Sequence, residues 1–314
     1  MSAPPFPTIH VAEIAAPVDT EPWLVHSLWP LAAVGLLAGP PKVTKTWLAL
    51  DLAISISSGT PCLGRFEVRK PGPVLLYLAE DSLPSVRARI EGICQHRGLG
   101  LAQANLHFIA TPALRLDRDD DKQRLFATVK LIRPRLLLLD PLVRIHACDE
   151  NDAGAVSALL ATLRQLQRAH DVAIILVHHT RKNGRGPQGY ALRGSGDLYA
   201  WGDAYAYLTR RDRALRLALE HRSHPPSEPM SLSLVSEPDG SCTRLEIAGP
   251  SSPTTEAPLE DLVLAELSTT QSPVTRTHLR ARLKVNNQRL GLALEKLLAE
   301  GRVRKEPEGW LLVR

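Results

Sequence analysis

The chain has 314 residues, of which 44% are hydrophobic and 23% charged, a composition typical of a folded globular protein. Its formal net charge of +5 favours an acidic partner without requiring one. The four cysteines lie far apart, and no run of about 18 apolar residues occurs, so the sequence predicts no disulfide framework, cysteine zinc site or membrane helix. We therefore expect a cytoplasmic protein of two unequal domains that does not bind membranes.

The N-terminal part changes character near Pro30. Residues 1–29 are rich in proline and predict an arm that packs on the core or on a neighbour. Beyond them, short apolar runs alternate with longer segments of helical period, which predicts an α/β fold with a mostly parallel sheet and flanking helices. The predicted strands are Ala33–Ala38, Val74–Leu78, Leu106–Ile109, Leu136–Leu139 and Ile174–Val177, and the predicted helices are Trp47–Ser57, Leu83–His96, Asp119–Ile132 and Ala153–Ala169.

A phosphate-binding loop is predicted between the first of these strands and the first helix. Such a loop needs backbone N–H groups that point inward, a lysine for the phosphates and a hydroxyl for Mg²⁺ at a helix N-terminus. Lys45 and Thr46 supply the last two. The predicted nucleotide-binding residues are Gly39, Pro40, Pro41, Lys42, Val43, Thr44, Lys45 and Thr46.

Thr44 departs from the usual pattern of this loop. It stands where a second glycine is expected, in a conformation that a β-branched residue resists at a cost of about 1–3 kcal/mol. Two interpretations therefore stay open at this point. Either the loop binds ATP, or Lys45 and Thr46 begin an ordinary helix after a proline turn.

Polar residues follow three of the buried strands. Glu80 comes after the second strand, Asp140 ends the run of four leucines, and His178 follows the last parallel strand. Because ligands of open α/β sheets bind at the carboxyl ends of the strands, we expect these side chains and Lys45 to meet in one crevice. Asp140 would hold Mg²⁺ together with Thr46.

The last third of the chain has two further patterns. Antiparallel strands are predicted at 204–209, 215–220, 231–235 and 243–247, so the core domain extends over residues 30–248. Residues 249–258 form a linker rich in Pro, Ser and Thr. Residues 259–314 predict helices at 259–267, 274–283 and 286–298 followed by a hairpin, which is a small winged-helix domain.

This C-terminal domain has two possible roles. The start of its third helix would read DNA with Asn286, Asn287, Gln288 and Arg289, and its wing would add Arg304 and Lys305. Winged helices also dock on proteins, so protein binding remains the alternative.

Five blocks of the chain together resemble the RepA-like hexameric ATPases of the RecA/DnaB helicase superfamily. The blocks begin at Gly39, Leu76, Leu138, Val177 and Arg193, and the resemblance covers roughly residues 23 to 210. It implies a RecA-like fold, with Glu80 polarising the attacking water, Asp140 as the Walker B residue and His178 as a γ-phosphate sensor. Arg193 resembles the arginine finger that completes a neighbour's site. Arg181 and Lys182 are alternative candidates for that role or, with Arg185, for DNA contact.

Three hypotheses about function follow. The leading one is an oligomeric ATPase, with ATP and Mg²⁺, that acts on single- or double-stranded DNA as a homo-oligomer, possibly a hexameric ring, of the helicase type. The second is a DNA-binding accessory protein whose Thr44 has removed turnover. The third is an ATP-dependent scaffold whose winged helix binds protein.

Overall fold

The computed structural model describes residues 5–14, 22–148, 152–180, 196–211, 214–225, 227–238, 240–248, 259–270, 272–283, 285 and 287–313. The chain divides into two compact units, residues 1–248 and residues 249–314. Within the described ranges, no helix is long and apolar enough to cross a membrane.

The first unit is built on a nine-stranded sheet. Its strands are β3 (Val34–Gly39), β4 (Val74–Leu78), β5 (Leu106–Phe108), β6 (Leu136–Asp140), β7 (Ala173–His179), β8 (Ala204–Arg211), β9 (Ala214–His221), β10 (Met230–Ser236) and β11 (Thr243–Ile247). They lie side by side in the order β11-β10-β9-β8-β3-β7-β6-β4-β5. The strands from β8 to β5 in this order run parallel, whereas β9, β10 and β11 are antiparallel. The predicted α/β class with a mostly parallel sheet is confirmed.

Helices cover both faces of this sheet. The helices are α1 (Lys45–Ser58), α2 (Leu83–His96), α3 (Asp119–Ile132), α4 (Ala153–His170) and α5 (Asp197–Trp201). Side chains of β6 show why both faces are needed: Leu136 and Leu138 join the core under α1 and α2, while Leu137 and Leu139 join the core under α3 and α4. A strand buried on both faces reads as a continuous apolar run, which is the pattern that predicted it.

The structure adds elements that the sequence pattern did not indicate. Strands β1 (Trp23–Val25) and β2 (Trp29–Pro30) pair antiparallel, and Leu24 and Trp29 are fully buried in the core. The last part of the predicted arm is therefore integral to the first unit. The short helix α5 was also not predicted, because five residues carry too little periodicity to detect.

The second unit contains α6 (Leu259–Ser268), α7 (Arg276–Leu283) and α8 (Asn287–Ala299), followed by the antiparallel hairpin β12 (Val303–Glu306) and β13 (Gly309–Leu312). Its core brings together apolar residues of all three helices and the hairpin. The predicted helix start at Val274 is wrong. Val274 pairs with Trp310 as an isolated bridge, and Thr275 Oγ1 accepts from His278 N at 3.2 Å to begin the helix.

Candidate nucleotide-binding site

The loop between β3 and α1 holds Thr44 in the left-handed conformation that this position demands. Its φ and ψ are 67° and 25°, and Lys42 also has a positive φ of 64°. The Thr44 hydroxyl donates to the carbonyl of Val43 and does not cap α1. Thr44 thus adopts a backbone conformation that glycine usually occupies, which costs about 1–2 kcal/mol of conformational free energy.

Gly39 is required for space and not for a special φ. A Cβ built on it would lie 2.2 Å from the carbonyl oxygen of Leu208 in β8. The glycine that opens the loop therefore also lets β8 approach β3 closely. This second role of Gly39 depends on a residue 169 positions away and is not visible in the loop motif.

Lys45 turns back into the loop. Its Nζ donates to the carbonyl oxygens of Gly39 and Pro40, each at 2.9 Å, and lies 3.1 Å from Nδ1 of His179. The side chain is only 5% exposed, and this burial lowers the pKa of Lys45 to about 8 against the opposing effect of Asp140 and Glu80. The ammonium group is held by neutral acceptors that a phosphate can replace.

Thr46 and Asp140 are in direct contact across the cleft. The Thr46 hydroxyl donates to Oδ2 of Asp140 at 2.9 Å. Burial raises the pKa of Asp140 to about 6, although the Thr46 hydrogen bond and the Lys45 charge act in the opposite direction. A hydroxyl and a carboxylate are the oxygen ligands that Mg²⁺ takes from proteins, which usually leave its other positions to water and phosphate. The pair therefore fits Mg²⁺.

Two carboxylates follow β4 and have different surroundings. Asp81 accepts from both guanidinium nitrogens of Arg89, at 2.9 and 3.2 Å, and Arg89 in turn lies over the ring of Trp47. Glu80 is about half exposed and accepts from Nε of Arg144 at 3.2 Å. Asp81 is thus held by Arg89, while Glu80 can rearrange because its ion pair with Arg144 is exposed to solvent.

The histidine beside Lys45 is His179, one residue beyond the predicted His178. Side chains of a strand alternate between faces. Val177 packs in the core under α1, whereas Leu176 packs in the core under α3 and α4, so His178, 2% exposed, lies on the face away from α1. Sequence reasoning missed His179, because a strand that is apolar on both faces does not show which of them α1 covers.

Several predicted site residues fall outside the described ranges. They are Arg181, Lys182, Arg185, Arg193 and Asn286, and the side chains of Gln288 and Arg289 are likewise not described. Asn287 is exposed at the start of α8. Arg304 pairs with Glu306 at 3.1 Å, and Lys305 is exposed on the same strand.

Comparisons with known proteins identify a family and a shared fold. A family model described as the AAA domain matches residues 2–185. A RadB recombinase crystal structure superposes with a TM-score of 0.51 at 17% identity, covering 70% of this chain and 92% of that one. A DnaB-like replicative helicase, described with its primase interactions, gives a TM-score of 0.52 at 16% identity, covering 68% of this chain and 58% of that one. At these identities the two structures show a shared fold.

Proposed function

The chain belongs to the AAA domain family and is a RecA-like P-loop NTPase, and from this premise we propose that it binds and hydrolyses Mg-ATP as an oligomeric, DNA-associated enzyme of the RepA type. The observation that carries the proposal is the contact of Thr46 with Asp140 beside a lysine folded into its loop. Thr46 and Asp140 are 94 residues apart in the chain, and they meet at the edge of the sheet where β3 and β6 end.

Each residue has a defined task in this proposal. Lys45 exchanges the carbonyls of Gly39 and Pro40 for phosphate oxygens, which are stronger partners for an ammonium group. The first N–H groups of α1 point at the same place and favour negative charge there. Thr46 and Asp140 hold Mg²⁺, which when bound neutralises charge that develops on the phosphate oxygens.

Glu80 is the proposed water-orienting carboxylate. It stands after β4, the strand next to β6, and its ion pair with Arg144 is exposed. A carboxylate that orients water needs an oxygen free of strong donors. Among the described residues, Arg144 Nε donates to Oε1 of Glu80, which leaves Oε2 for the water.

The accessory-protein alternative depends on Thr44. A left-handed threonine is unfavourable, and a loop that relaxed would lose its inward N–H groups. The observed φ of 67° keeps Thr44 within the left-handed region, which favours a loop that still binds phosphate. We therefore place the ATPase ahead of the accessory protein.

Magnesium-dependent ATP hydrolysis, measured with and without single-stranded DNA, tests this order. Wild type should hydrolyse ATP. Lys45→Ala should lower kcat about 100-fold or more, because a charge contact to the phosphates is lost. The kcat of Thr44→Gly should stay within about threefold of the wild-type value. Lys122→Ala is the matched control, because Lys122 lies in α3 and pairs with Asp119 of the same helix. An inert wild type that Thr44→Gly restores would establish the accessory protein instead.

DNA association and assembly are proposed from three lines of support. The chain is basic, the structural neighbours are described as a recombinase and a replicative helicase, and the second unit has the helices and hairpin of a winged helix. Light scattering and particle images of the protein with ATP test whether a ring, such as a hexamer, forms. A monomer at all concentrations would contradict the ring.

A further inference from the structure

A basic cleft lies at the edge of the sheet opposite the nucleotide site. Its volume is about 760 Å³, and its ionisable lining residues are Lys130, Arg133, Arg135, Arg168, His170 and Asp171. The cleft surrounds the points where β4, β6 and β7 begin, whereas the phosphate loop lies where parallel strands end. Strands of five to seven residues separate the two places by roughly 15–20 Å.

The described residues that line the basic cleft carry an excess of positive charge. Lys130, Arg133, Arg135 and Arg168 face one acidic lining residue, Asp171, which leaves three positive charges in excess. None of these four basic side chains makes a hydrogen bond or ion pair with any residue that the structure describes. Elsewhere in the same unit, by contrast, Arg97 is bonded to Asp51 and Arg164 to Asp203.

Helix stabilisation accounts for only part of this arrangement. Lys130, Arg168 and His170 stand in the last turns of α3 and α4, where a cation interacts favourably with the helix dipole. Arg133 is the C-cap residue of α3, but Arg135 lies beyond the helix and gains nothing comparable. The presence of Arg135 at the same cleft needs another explanation.

The walls of the basic cleft are held rigidly. The backbone N–H of Arg135 donates to the Pro73 carbonyl at 2.8 Å, and that of Gly72 donates to Ile56 at 3.0 Å. A Cβ on Gly72 would lie 2.8 Å from Cγ of Arg135, so the glycine makes room for the arginine stem. Prolines at 71, 73 and 134 restrict the same segments. The cations are therefore displayed on a preorganised surface.

We propose that the basic cleft binds the phosphate backbone of a nucleic acid, as a contact separate from the second unit and from the nucleotide site. The inference rests on the proposed association with DNA and adds where the strand runs. Arginine presents a planar fork that matches phosphate oxygens, and the cleft has three arginines. Among its lining residues there is no large aliphatic side chain and no Phe, Tyr or Trp to anchor a peptide or stack on a base, so the contact is independent of sequence.

Fluorescence anisotropy with a labelled oligonucleotide, single-stranded and duplex, at several salt concentrations tests this. The full-length double variant Arg135→Ala/Arg168→Ala should bind about tenfold more weakly at low salt, with the slope of log K against log salt reduced by about 2 for duplex. Arg135→Lys/Arg168→Lys should keep the slope and lose part of the affinity, because charge remains without the fork. The matched control is Arg87→Ala/Arg124→Ala, two exposed arginines that each pair with a helix neighbour.

ATPase activity of each variant, measured in parallel, separates this inference from the proposed function. A variant that loses oligonucleotide binding supports the cleft whether or not wild type hydrolyses ATP. Binding and slope equal to those of the control would overturn the inference. A wild type that hydrolyses ATP and binds no oligonucleotide would overturn it too. So would a double variant that binds the oligonucleotide as the control does and loses only the binding of poly-glutamate, an acidic peptide probe.

Discussion

Lys45 and Asp140 are ionisable groups that burial shifts in opposite directions. Burial lowers the pKa of Lys45 to about 8 and raises the pKa of Asp140 to about 6, so in both cases the neutral form is favoured relative to water. Binding of an oppositely charged ligand stabilises buried charged groups such as these. Nucleotide and Mg²⁺ supply both opposite charges, which is why the shifts accord with a binding role.

The Asp140 carboxylate should make stability depend on pH in the absence of Mg²⁺. Its folded-state pKa of about 6 exceeds the ordinary aspartate value of 3.8, so the folded state binds the proton more tightly and stability falls as pH rises through this window. Asp140→Asn removes the charge and should be more stable than wild type at pH 8, on the order of 1–3 kcal/mol. The difference should vanish below about pH 4.

Chemical denaturation between pH 4 and pH 8, with a chelator present to remove Mg²⁺, measures the free energy of unfolding of both proteins. Asp119→Asn is the control, because Asp119 is 85% exposed in the first turn of α3. An Asp140→Asn variant as stable as wild type at every pH would show that the carboxylate is not destabilising in the free protein.

Strands β3 and β8 approach each other through two glycines. A Cβ on Gly35 would lie 1.8 Å from the Ala204 carbonyl oxygen, and one on Gly39 would meet Leu208 in the same way. The parallel pairing of Gly35 with Ala204 places β8 beside the strand that leads into the phosphate loop. The position of that loop thus depends on a strand that enters the sheet much later in the chain.

Gly35→Ala should therefore destabilise the first unit by about 2–4 kcal/mol, because the methyl group meets backbone that has no room to move. Thermal unfolding followed by circular dichroism measures it. Gly154→Ala is the control, since its Cβ would meet only Asp152 Oδ1 at 3.4 Å in the first turn of α4, and it should be neutral or slightly stabilising. Equal unfolding temperatures for the two variants would contradict the close approach.

Helices α1 and α2 are joined by a polar network around Asp51. This carboxylate is 3% exposed and accepts from the Leu63 N–H at 2.7 Å and from Arg97 at 2.6 Å, while Arg97 also donates to Ser55 and Thr60. A buried carboxylate with several donors is satisfied and specifies one arrangement of its neighbours. The network thus fixes the helix that carries Lys45 and Thr46.

The two units of the molecule carry different proposed binding sites. The first carries the nucleotide site and the basic cleft, and the second carries the candidate DNA-reading helix and wing. Within the described part of the second unit many cations are already paired, for example Arg282 with Glu266 and Lys296 with Glu260. The unit therefore offers less free positive charge than its composition indicates.

Arg304→Ala/Lys305→Ala tests whether the second unit contacts DNA. If the wing lies on a phosphate backbone, duplex affinity should fall about tenfold at low salt and the salt slope should drop by about 2. The control Arg282→Ala/Lys296→Ala removes the same charge outside the hairpin, from α7 and α8. Anisotropy titrations that give the same affinity for both variants would favour protein docking for this unit.

How much of the fold the sequence predicts depends on the range of the interactions involved. Strands and helices from Val34 to Ile247 lie close to the predicted positions, because apolar periodicity and turn residues are local properties. Lys45, Thr46 and Asp140 were predicted as candidates because phosphate and Mg²⁺ chemistry limits the residue types, and the structure places Thr46 in contact with Asp140. Strands β1 and β2 were not, since two short apolar stretches in a proline-rich segment carry no clear period.

The sequence by itself determined the class of the fold, the place of the phosphate loop and the anomaly at Thr44. Only the tertiary structure decided that His179 and not His178 stands beside Lys45, that Arg144 pairs with Glu80, and that the basic cleft is assembled from separate segments. The physical reason is the same in each case. The side of a strand that a residue faces, and its neighbours across the sheet, depend on packing between segments distant in the chain, which local patterns do not record.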